Sequence, residues 1–79
     1  MKKLDIKGIS PKFIVRGEGL IDSDLIRLQK TLTYMFRINY IIPEDGDNLE
    51  VGAMVFHVKR IVWGIKDPGT IQEITVELE

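Results

Sequence analysis

Lys59, Arg60 and Trp63 are the residues of this chain whose types and spacing come nearest to a ligand-binding set. An indole offers a flat face on which a base stacks, and two cations supply the charge that holds a phosphate. His57, just upstream, adds a side chain that titrates near neutrality. All of them lie in the stretch GAMVFHVKRIVWGI, Gly52–Ile65. The opposing reading is structural: Trp63 fills a core, and the two cations are solvated or paired with Glu73 or Glu77 across a hairpin. His57 as a general base would need a nucleophile or an orienting acid, and the sequence places none beside it. A structural or surface histidine is the expected role.

Other constellations are thinner. The chain has no glycine-rich nucleotide loop, no paired-cysteine motif and no nucleophile elbow. Gly17-Glu18-Gly19 leads into a helix start where an anion could sit, but Asp22 and Asp24 already bring negative charge there. Glu44–Glu50 carries Asp45, Asp47 and Glu50, oxygen ligands of the kind calcium prefers, without the spacing of an EF-hand loop. A solvated acidic turn is the expectation. With no cysteine and a single histidine, thiolate and multi-histidine metal sites within one chain are excluded. No metal and no cofactor are expected.

The elements that must position these residues belong to one small domain, residues 1–79. A chain of this length buries only about 60% of the surface its unfolded form exposes, so oligomerisation is the remaining route to added stability. The apolar fraction of 44% is that of a folded domain. A net charge of −1 gives no global reason to bind nucleic acid or an anionic membrane. The charges are nevertheless uneven: Lys2, Lys3, Lys7, Lys12 and Arg16 come early, and Glu73, Glu77 and Glu79 come late. No apolar run approaches the ~20 residues that span a bilayer, and the N-terminus lacks a signal-peptide apolar region. The cytoplasm is the expected location.

Lys2–Ile9 alternates as a half-buried strand, Ser10-Pro11 interrupts it, and Lys12–Glu18 resumes as a second strand, so a hairpin is expected slightly ahead of one long edge strand bent at the proline. Leu25, Leu28, Leu32, Met35 and Phe36 recur at helical spacing within Ser23–Ile38. Asp22 or Ser23 is expected to cap the start of that helix, Ile21 to staple onto Ile26, and Asn39 to cap the end. Tyr40–Ile42 is a short strand ended by Pro43, and Leu49–Val51 leads into Gly52–Ile65. That long run is apolar on both faces, as a central strand covered above and below would be. Two polar residues side by side, Lys59 and Arg60, imply a β-bulge that shifts the inward phase from Phe56 and Val58 to Ile61, Trp63 and Ile65. Asp67-Pro68-Gly69-Thr70 has turn chemistry with proline at its second position. In Ile71–Leu78 the residues Ile74, Val76 and Leu78 point one way and Glu73, Thr75 and Glu77 the other.

The expected architecture is α+β, a single helix packed on a mainly antiparallel sheet in the order ββαβββ. The expected function is that of a small non-enzymatic binding protein, of inhibitor, adaptor or sequestering type, acting as a homo-oligomer, most simply a dimer. Its partner would be a protein or a small anionic ligand. A two-fold contact through the long strand would place two sets of Lys59, Arg60 and Trp63 beside an intersubunit groove. The alternatives are a nucleotide or nucleic-acid binder using Lys59, Arg60 and Trp63, and an enzyme whose site assembles between subunits.

Overall fold

The computed structural model describes residues 1–4 and 10–79. Its elements are β1 (Lys2–Lys3), β2 (Lys12–Gly17), α1 (Asp22–Asn39), β3 (Ile41–Ile42), β4 (Asn48–Val51), β5 (Met54–Lys66) and β6 (Thr70–Leu78). The α+β class and the order of two strands, a helix and further strands are as expected, with Leu49–Val51 forming part of a strand of its own. A four-stranded sheet runs β2-β6-β5-β4, and β1 pairs separately with β3. The sheet is antiparallel except where β2 joins β6 in parallel.

Helix α1 forms because its apolar residues fall on one stripe. Leu28, Leu32 and Phe36 are buried in the core with Phe13, Val15, Phe56, Val58, Ile74 and Val76. The Phe36 ring stacks obliquely on Phe13, with centroids 6.0 Å apart, and meets Tyr40 edge-on at 5.9 Å. At the start of α1, Ile21 caps through its backbone carbonyl, which accepts from Asp24 and Leu25, so the expected side-chain cap from Asp22 or Ser23 is absent. Ile21 and Ile26 are both exposed, which removes the support for a staple between them. The left-handed C-terminal residue is Tyr40 (φ 55°), one place beyond the expected Asn39. Its N–H closes on the Phe36 carbonyl and its own carbonyl accepts from Leu4, contacts that offset the steric penalty of this conformation.

The expected hairpin between the first two strands does not form. β1 pairs with β3, and β2 lies beside β6 with Lys12 opposite Glu73, Ile14 opposite Thr75 and Arg16 opposite Glu77. Charge agrees with this pairing: the register places glutamates of β6 opposite Lys12 and Arg16, where the N-terminal segment would bring lysines. The rest of the expected first strand, residues 5–9, lies outside the described residues.

Gly52 and Ala53 form the turn between β4 and β5, so the long strand begins at Met54 and ends at Lys66. Gly52 has φ 63°, a left-handed backbone that favours glycine; a Cβ there would meet only the flexible end of the exposed Arg27 side chain, so the backbone and not the space makes the demand. The turn between β5 and β6 closes with Gly69 N–H on Lys66 C=O, which puts Pro68 third, not second, behind a cis peptide bond.

The expectation that β5 is central and covered on both faces is corrected. β4 flanks it only over Met54–His57, and β6 is the strand with long neighbours on both sides. Outward from the sheet, Val55 is 66% exposed and Val62 42%. The side away from the helix carries Arg16, Glu77 and Arg60 in one row and Ile14, Thr75 and Val62 in the next.

Truncating Leu28 or Leu32 to alanine is expected to destabilise the domain by about 2–5 kcal/mol, because each side chain leaves a cavity the core cannot close. Lys30→Ala, on the exposed side of α1, is expected to change stability by less than about 0.5 kcal/mol. Urea denaturation of the three variants measures this, and equal losses at Leu32 and Lys30 would contradict the helix face.

Candidate functional site

The pairing of β5 with β6 shifts register between Val58 and Arg60, so Lys59 is the extra residue of a bulge. Before it, Phe56 and Val58 face the core; after it, Ile61 and Trp63 pack against the core. Ile65, expected to join them, is 63% exposed on the hairpin beyond the core. A second shift falls between Gly64 and Ile65, where Gln72 is the additional residue on β6.

The acidic turn Glu44–Asp47 holds this bulge in place. The Asp47 carbonyl accepts the Val58 N–H at 2.8 Å, and the Gly46 N–H donates to the Val58 carbonyl at 2.9 Å. Asp45 Oδ1 accepts the Ile61 N–H at 2.8 Å, serving the amide that turns outward just past the bulge. Asp47 Oδ2 accepts from the Glu44 N–H and lies 2.6 Å from the Met1 amino group. The hydrogen bond from that amino group, with the Glu44 amide second, holds the Asp47 carboxyl below its usual range. The turn is thus a structural clamp; its carboxylates point at amides and an ammonium, and among the described residues no acidic or histidine cluster has metal-binding geometry.

The bulge separates the residues grouped in the sequence. Arg60 reaches the outward face and forms a two-pronged contact with Glu77, Nη2 donating to Oε1 at 3.3 Å and Nε to Oε2. Lys59 and Arg16 add their fields to the same carboxylate. Trp63 turns to the other face, pairs with Ile74, and lies under Lys2, whose Nζ is 5.4 Å from the ring centroid. A shallow pocket beside it is lined by Lys2, Pro43, Glu44, Asp45 and Ile61. The cations of Lys59 and Arg60 therefore do not share a face with the indole. His57 sits on the outward face between Asn48 and Glu79, its Nδ1 2.9 Å from Asn48 Oδ1 and its Nε2 3.7 Å from Glu79 Oε2. It ties β4 and the C-terminal residue across β5, and the Glu79 N–H completes this by donating to the His57 carbonyl.

Two features escaped the sequence reading. One is the free margin of β5 past the bulge. Since Ile61 directs its N–H away from β6, Trp63 and Ile65 direct theirs to the same edge, where no strand pairs among the described residues. The other is a groove of about 520 Å³ between α1 and β2. An alternating strand beside a helical i, i+4 stripe is the only sequence signal for it, and that signal does not say which elements meet.

No protein-family model, curated protein or solved structure matches the chain. No helix among the described residues is long and apolar enough to cross a membrane.

The Arg60 hydrogen bond, followed by the charges of its neighbours, holds the Glu77 carboxyl below its ordinary value of 4.5. A depressed carboxylate contributes stability that is full above that ordinary value and is lost as pH falls through the folded one. Glu77→Gln is therefore expected to lower the melting temperature slightly at neutral pH, and the gap to the unsubstituted protein should close on acidification. A gap independent of pH would contradict the ion pair.

Proposed function

We propose that this domain is a binding protein without chemistry of its own, and that it works as a homodimer joined through the margin of β5 beyond the bulge. The observation that carries the reading is the edge of β5 at Trp63–Ile65, which no strand pairs among the described residues, with Ile65 63% and Val62 42% exposed beside it. An unpaired strand edge with apolar flanks is a template for another strand. A second copy related by a two-fold axis offers the same edge, so antiparallel pairing satisfies both chains at once. Association would also bring the two Trp63 side chains close together, and it would add stability to a domain of only 79 residues.

Among the described residues, the displaced ionisations are those of Arg60 with Glu77 and of Asp47 with the Met1 amino group. Each is explained by a surface ion pair.

Light scattering after size exclusion at micromolar concentration tests the dimer, with an expected mass twice the 9.1 kDa of the chain. Ile65→Glu is expected to return it to the single-chain mass, while Ile38→Glu, a like change on the exposed side of α1, leaves the dimer intact. A 9.1 kDa species for the unsubstituted protein would overturn the proposal.

A further inference from the structure

The groove between α1 and β2 has a floor and walls of Pro11, Phe13, Ile26 and Tyr34. Ile26 is 51% and Tyr34 67% exposed, so large apolar surface stands open to water there. The charged residues that line it are Lys12, Lys30 and Arg37, all cationic, in a chain whose net charge is −1. Among the described residues none of these cations lies within ion-pair distance of a carboxylate. At the edge of β2 beside the groove, Gln29 Oε1 accepts the Val15 N–H at 3.2 Å and so occupies one position that the carbonyl of a further strand would take.

We infer that this groove docks an acidic, apolar segment of another protein, lying extended along α1 from Ile26 to Arg37. That span is about 16 Å of helix, the reach of about five extended residues. Alternation of acidic and apolar side chains along such a segment would set carboxylates against Lys30 and Arg37 and apolar groups onto Ile26 and Tyr34, while Lys12 alternates with Phe13 toward the other face of the sheet. A second copy meeting the same groove by two-fold symmetry is disfavoured, since it would bring these cations against their own counterparts. This surface shares no residue with the β5 margin, so the inference stands or falls independently of the dimer.

Fluorescence anisotropy with a labelled peptide alternating glutamate and leucine tests it, using the full chain at low salt. Saturable binding is expected, and the double variant Lys30→Glu, Arg37→Glu should weaken it at least about tenfold by reversing two rim charges. Tyr34→Ala should weaken it through lost apolar contact, and Lys66→Glu, remote on the β5–β6 hairpin, should leave it within about twofold. Circular dichroism confirms that each variant remains folded. Absence of saturable binding would overturn the inference. So would equal binding of a lysine–leucine peptide, or a loss at Lys66→Glu matching that of the double variant. Tighter binding of a single-stranded oligonucleotide, lost in the same double variant, would assign the groove to nucleic acid and overturn the peptide. None of these results alters the mass measured by light scattering, so failure here is distinguishable from failure of the dimer.

Discussion

One extra residue in β5, Lys59, is the constraint on which the rest of the molecule depends. A strand alternates with a period of two, so a single insertion exchanges its faces. Without it, the phase that buries Phe56 and Val58 would turn Ile61 and Trp63 away from the core and bring Arg60 into it. With it, both halves of a thirteen-residue strand contribute apolar side chains to the same interior. The inserted residue is not held by β6 alone. The turn Glu44–Asp47 supplies two backbone hydrogen bonds to Val58 and a carboxylate to the Ile61 amide. A loop that looks like a metal site from its composition is spent on satisfying a backbone irregularity.

The same displacement decides what the surface can do. Arg60 emerges in the row of Arg16 and Glu77, so one carboxylate stands between two guanidinium groups on the outward face, beside the uncharged row of Ile14, Thr75 and Val62. Trp63 goes to the other side and takes Lys2 over its ring. A base cannot stack on Trp63 while its phosphate meets Lys59 and Arg60, because the sheet stands between them. What remains open lies elsewhere: the margin of β5 where β4 has ended, and the seam where α1 meets β2.

The parts legible in the sequence were those with a local period. The stripe Leu28, Leu32, Phe36 defined α1, the alternation of Ile74, Val76 and Leu78 defined β6, and adjacent Lys59 and Arg60 marked the bulge. Strand partners were not legible, because alternation says which face a residue takes and nothing about its neighbour. Charge was the missing guide: Lys12 and Arg16 stand opposite Glu73 and Glu77, some sixty positions away, and not opposite the lysines that precede them. The candidate ligand set failed to converge for a related reason. Its residue types were visible, but whether they share a face depended on the bulge, which already turned Trp63 inward and so set it against grouping with Lys59 and Arg60. The groove combines Pro11 and Phe13 with one side of a distant helix, a non-local contact that no window of sequence contains.

Backbone amide exchange followed residue by residue across a concentration series tests the account most directly, since it reads strand parity and association together. Val62 and Gly64 direct their amides to β6 and should exchange slowly at every concentration. Trp63 and Ile65 direct theirs to the open margin and should exchange fast when dilute, then become protected as concentration rises. Fast exchange at Trp63 and Ile65 at all concentrations would contradict the shared edge, and fast exchange at Val62 and Gly64 instead would contradict the placement of the bulge itself.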